Sequence, residues 1–129
     1  MQTAKGTIQH NNWDEKPYHE AATQKSTTAI VDIVFDGDLT GTGLSRALMQ
    51  YPDAETCHYA GYILVTGTLA GKSGGFTLCE LGTWTDGVAR STWQIVDKSG
   101  TGELAGISGT GSYAATHDKT VHYELSYSL

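Results

Sequence analysis

Residues Tyr59 to Trp93, YAGYILVTGTLAGKSGGFTLCELGTWTDGVARSTW, decide how this chain folds. They form three strands joined by two tight turns. Asp86-Gly87 is a strong hairpin signal, because both residues tolerate the positive φ of a type I′ turn. With that loop, Thr85 pairs with Val88, Trp84 with Ala89, Gly82 with Ser91, Glu80 with Trp93 and Leu78 with Ile95. Alternation along each strand places Phe76, Leu78, Glu80, Gly82, Trp84, Ala89, Ser91, Trp93 and Ile95 on one face. The other face, from Thr77 and Cys79 to Gln94 and Val96, is more polar. The first face is therefore the inner one, and its one ionisable group, Glu80, stands beside an indole.

Working outward, Gly71-Lys72 as the preceding two-residue loop sets Ile63 opposite Glu80, Gly61 opposite Gly82 and Tyr59 opposite Trp84. Tyr59, Gly61, Ile63 and Val65 then point inward. A four-residue loop 52–55 before that strand sets Arg46 opposite Gly61, also inward, with room beside the glycines to approach Glu80. A one-residue slip would invert every face.

Residues 26–35, STTAIVDIVF, carry Thr27, Ala29, Val31, Ile33 and Phe35 on an inner face and leave Asp32 outside. Residues 2–13 form a strand, and Asp14-Glu15-Lys16-Pro17 marks a bend or an edge, since Pro17 lacks a ladder donor. Residues 42–51 form another strand before Pro52-Asp53. Residues 101–115 are Gly-rich, with Leu104 and Ile107 the large aliphatic side chains. Over 118–128, Val121, Tyr123, Leu125 and Tyr127 alternate with polar residues as in a half-buried strand. No window has helical periodicity with caps at its ends. About eight short-turned strands predict an all-β fold, an eight-stranded antiparallel up-and-down barrel, whose closure removes exposed edges.

The chain has 129 residues, enough for one domain with its own core, 16 glycines but only 2 prolines, and a net charge of −6. That charge argues against nucleic acid or an anionic membrane as partner. The start MQTAKGT has no apolar run suited to a signal peptide, and no stretch approaches the ~20 apolar residues of a membrane helix. Cys57 and Cys79 are too few for a disulfide framework and fit reduced thiols in the cytoplasm.

Several patterns point nowhere. Gly100–Ala105 and Gly109–Ala114 match G-x-G-x-x-A, but no helix opens on their glycines, so no dinucleotide site is expected. His10, His19, His58, His117 and His122 lack metal-ligand spacing, and Asp36-Gly37-Asp38 is a turn rather than a calcium loop. Neither metal nor cofactor is expected.

Trp13, Glu15, Pro17-Tyr18, Phe35-Asp36-Gly37-Asp38-Leu39, Gly67-Thr68-Leu69, Gly82-Thr83 and Ser99-Gly100-Thr101-Gly102-Glu103-Leu104 stand in a telling order. On these residues nearly the whole chain resembles a family of small bacterial proteins of unknown function grouped with allene oxide cyclase-like barrels. The resemblance implies an eight-stranded barrel with a central cavity, often homo-oligomeric, and no known activity. Relatives tend to carry an acidic and then a basic residue where this chain has Ile63 and Leu64, and a His where it has Glu80. Acid–histidine chemistry is therefore not carried over.

Glu80 in an apolar barrel beside an indole resists ionisation unless Arg46 offsets it. The candidate site is Glu80 as acid or base, with Arg46, Tyr59, Ile63, Trp84 and Trp93 around a ligand. Three functions remain open. One is a module that binds one small apolar or amphipathic molecule. The second is a cyclase- or isomerase-type enzyme in which Glu80 moves a proton. The third is a filled, oligomerising barrel.

Overall fold

The computed structural model describes residues 1–116 and 120–129. Its strands are β1 (Gln2–Ala21), β2 (Gln24–Gly37), β3 (Leu39–Asp53), β4 (Thr56–Leu69), β5 (Lys72–Thr85), β6 (Val88–Ile95), β7 (Thr101–Gly102), β8 (Ser108–Ala115) and β9 (Val121–Ser128). All pairings are antiparallel, in the order β4-β3-β2-β1-β9-β8-β6-β5, and β4 also pairs with β5. Eight strands thus close a barrel, as expected. The two-residue β7 continues the line of β6 along the start of β5. No helix occurs among the described residues, so none could cross a membrane. Asp118 and Lys119 of the expected last strand, and His117, lie outside the described residues.

The central hairpin has the register read from its turn. Asp86 and Gly87 carry φ of 53° and 74°, and Thr85↔Val88 through Leu78↔Ile95 all pair as expected. The turn before it is Ala70-Gly71, φ 50° and 80°, rather than Gly71-Lys72. Ile63 consequently opposes Leu78, Gly61 opposes Glu80 and Tyr59 opposes Gly82. This is a shift of two places, which preserves parity, so the inner face of β4 stands.

Two strands depart from expectation. β1 does not stop near Trp13 but runs to Ala21, with register shifts at Asn11/Asp14 and Pro17/His19. Asn12, at φ 53°, takes the left-handed conformation that Asn adopts more readily than most residues. The extra residue inverts the alternation, so His10 opposes inner Ile33 while Glu15 opposes inner Ala29. Between β3 and β4, a two-residue turn plus a shift between Gln50 and Asp53 replaces the expected four-residue loop.

The two ends of the barrel differ. At one end the connection from β6 to β8 folds back, and Leu104 and Ile107 enter the main core with Leu39, Leu69 and Tyr127. Glu103 fastens this plug to Ser73 in both directions: its N–H donates to the Ser73 carbonyl at 2.9 Å, and its carboxylate accepts the Ser73 N–H at 3.1 Å. Gly100–Ala105 therefore builds the plug and opens no helix. The opposite end holds a smaller cluster, Ala29, Met49 and Cys57, with Tyr51, Tyr59 and Trp84 packed against it. Outside, Ile30, Leu44, Leu48, Tyr62, Leu64 and Leu81 are exposed apolar side chains on β2 to β5.

Candidate functional site

Cross-strand register places small inner residues at one level. Ala29 opposes Ala47, Ala47 opposes Gly61, and Gly61 opposes Glu80. Inner positions without bulk cannot fill an eight-stranded barrel, which is just wide enough for full-sized side chains. The result is a cavity of about 280 Å³ at the end opposite the plug. Ala29, Ala47, Ala89 and Ala115 provide its space, and Trp13, Tyr51 and Trp84 provide aromatic wall. Tyr51 and Trp84 also line an outer groove with Glu20, Lys25 and Asp53, and the Lys25 ammonium lies 4.7 Å from the Tyr51 ring centre.

Glu80 is 6 % exposed and lines this cavity. The Trp93 indole N–H donates to its Oε2 at 2.8 Å. Burial raises the Glu80 carboxyl above the ordinary value, against the downward pull of hydrogen bonds from Trp93 and Ser91. Glu15 behaves oppositely. Burial works to raise it, yet hydrogen bonds from Tyr51, Thr27 and Trp13 outweigh that and hold its carboxyl low. Those donors stand at 2.6, 2.7 and 3.0 Å. One carboxyl faces the cavity inclined to keep its proton, while the other is an anion engaged by Tyr51 and Trp13 of the wall.

The other expected site residues divide. Tyr59 and Trp84 line the cavity. Trp93 lies beneath it, 2 % exposed, within ring-contact distance of Phe35, Tyr113 and Tyr123. Ile63 is fully buried in the core one layer below, because its partner is Leu78 rather than Glu80. Arg46 is a correction. It opposes Tyr62, projects outside, and donates from Nη1 to the Ser45 carbonyl at 2.8 Å. The bulge before the β3–β4 turn put Ala47 in the inward place expected for Arg46, so among the described residues no Arg or Lys lines the cavity.

Sequence reasoning missed His10, Trp13, Tyr51, Cys57 and Tyr113 as cavity residues. His10 stands 5.9 Å from Tyr113 and 6.1 Å from Trp13, ring centre to ring centre, and burial lowers its pKa so that the neutral imidazole is favoured. Burial pushes the Cys57 thiol and the phenols of Tyr51, Tyr59 and Tyr113 upward. The Asn11-Asn12 pair was the available signal, since Asn marks places where a strand can bulge. Among the described residues, no group of three or more His, Cys, Asp or Glu side chains could hold a metal ion.

The raised Glu80 value makes stability depend on pH. The folded state keeps this proton where the unfolded chain has released it. The stabilisation is complete below the ordinary value of 4.5 and is lost as pH rises through the folded value. Glu80→Gln should flatten the fall in urea midpoint as pH rises above 4.5. An unchanged slope would assign that fall to other groups.

Residues 4–127 match the family described as protein of unknown function (DUF3224). The chain is similar to the crystal structure of a protein of unknown function from that family in Shewanella oneidensis MR-1. The two are 25% identical with a TM-score of 0.81, over 100% of this chain and 98% of the other. No curated protein matches.

Proposed function

We propose that this chain, which belongs to the DUF3224 family of proteins of unknown function, binds one small, mostly apolar molecule in its barrel. The observation that carries this reading is the cavity of about 280 Å³, closed beneath by the aromatic core and walled by alanines and aromatic rings. Apolar concave walls with a few convergent polar groups are the usual pattern of a small-molecule site. The three tryptophans are Trp13 and Trp84 in the wall and Trp93 below it, so intrinsic emission reports on occupancy. Native mass spectrometry of fresh protein, with fluorescence titration of a panel of apolar compounds, tests the reading. A bound mass, or a saturable emission change abolished by the cavity-filling Ala47→Leu, is expected. Neither adduct nor response across the panel would sink it.

A second reading is favoured by one observation: Glu80 is a cavity-facing carboxyl whose burial raises it above the ordinary value. Such a group suits proton transfer in a cyclase- or isomerase-type reaction. Glu80→Gln separates the two. A catalyst keeps affinity and loses turnover, whereas a binder changes in affinity alone.

A further inference from the structure

The row of inner side chains above Glu80 has an unusual composition. Tyr59 opposes Gly82, Gly82 opposes Ser91, and Ser91 opposes Tyr113, across β4, β5, β6 and β8. Gly82 has no side chain, so the Tyr59 ring lies over it and brings the Tyr59 hydroxyl into hydrogen bond with that of Ser91. Tyr113 stands opposite Ser91 in the same row and Glu80 one row below, close enough for the Tyr113 hydroxyl and the Glu80 carboxyl to interact with the Tyr59–Ser91 pair. The Tyr59–Ser91 hydrogen bond thus sits between a buried carboxyl and a second phenol, and Glu80, Tyr59 and Tyr113 all line the cavity. No buried side-chain N or O among the described residues lacks a partner.

We propose that this relay of Glu80, Ser91, Tyr59 and Tyr113 holds an uncharged ligand by a ketone or aldehyde oxygen. The inference rests on the binding reading above and names its ligand class. Each hydroxyl has one proton to donate. With Glu80 protonated, the carboxyl can donate to Ser91, Ser91 to Tyr59 and Tyr59 to Tyr113, three bonds drawn from four protons, so the Tyr113 O–H is left for the ligand's oxygen. With Glu80 ionised, the hydroxyls turn toward the carboxylate and that donor is consumed. A carboxylate ligand is disfavoured, because among the described residues no Lys or Arg lines the cavity, and the low-held Glu15 carboxyl is bonded to Tyr51 and Trp13 of its wall. The volume, about nine times the ~30 Å³ share of a liquid water, suits a single substituted ring.

Among the described residues, the titratable groups that line the cavity with Glu80 are His10 from β1, Tyr51 from β3, Cys57 and Tyr59 from β4, and Tyr113 from β8, with Glu15 from β1 bonded to Tyr51. The phenols and the thiol are pushed upward, the Glu15 carboxyl is held low and His10 is lowered. A loss of binding as pH rises above the ordinary carboxyl value therefore belongs to Glu80 or His10.

The experiment compares acetophenone, ethylbenzene and benzoate by tryptophan fluorescence, from about pH 5 to about pH 9. Acetophenone should bind up to about tenfold tighter than ethylbenzene at low pH, the scale of one hydrogen bond, and benzoate should not bind. The preference should fade as pH rises. Glu80→Gln, which retains an N–H donor, should keep the preference and remove its pH dependence; dependence that survives belongs to His10. The Tyr59→Phe, Tyr113→Phe double variant should bind both neutral compounds equally. If ethylbenzene matches acetophenone in the wild type, or benzoate binds as well, the relay assignment falls and the cavity reading stands. If no neutral compound binds, both fall together.

Discussion

Trp93→Ala should lower folding stability by about 3–5 kcal/mol, read as a fall in urea midpoint at unchanged slope. Trp93 sits at the junction of core and cavity. Its ring lies 5.6 Å from Tyr113, 6.1 Å from Tyr123 and 6.2 Å from Phe35, the last edge-on. Truncation leaves a void among aromatic rings that the closed sheet cannot collapse around. It also removes the N–H that Glu80 accepts, and a buried acceptor stripped of its donor adds roughly 1–3 kcal/mol. Trp93→Phe separates these contributions, because it keeps most of the apolar body and loses only the donor. Its cost should be well under that of alanine. The Glu80 carboxyl should rise further, since the indole hydrogen bond now pulls it down. Equal losses for Phe and Ala would mean that the hydrogen bond, rather than packing, dominates here.

Gly82→Val should abolish the ligand response and cost about 1–3 kcal/mol, the usual range for overpacking. A Cβ at Gly82 would overlap the ring atoms of Tyr59. Tyr59 lines the cavity, so a ring displaced toward it breaks the bond to Ser91 and occupies the ligand's space. The backbone is not the obstacle, because Gly82 is not among the residues with positive φ. Combining Gly82→Val with Tyr59→Ala should restore most of the stability, since the added volume then has somewhere to go, without restoring the hydroxyl relay. A double-mutant cycle on urea midpoints would measure this coupling. Additive losses would show that Gly82 is required for something other than the Tyr59 ring.

The exposed apolar side chains of β2 to β5 contrast with the −6 net charge of the whole chain. The outer face is polar over β6, where Arg90, Thr92 and Gln94 are exposed, but not over β3 and β4, where Leu44, Leu48, Tyr62 and Leu64 stand in the open. Alternation along a strand marks an inner face reliably only where the outer face is polar. On β4 both faces carry large apolar groups, so its inner face was set by counting from the hairpin rather than by hydropathy.

Local chemistry in the sequence determined the parts of this protein that lie within one hairpin of a distinctive turn. Asp86-Gly87 set the register of β5 and β6, and with it the inward place of Glu80 beside Trp93. The β-branched run 26–35 declared its own inner face. Tertiary structure decided the rest. A bulge at Asn12 brought His10, Trp13 and Glu15 to the cavity end, and another after Gln50 turned Arg46 to solvent. A bulge adds one residue, which inverts a period of two, and whether it forms depends on pairing with a distant strand rather than on the residues themselves. The cavity likewise exists only because alanines from four strands arrive at one end of a closed barrel. No single strand carries that coincidence, so it becomes visible only when the ring closes.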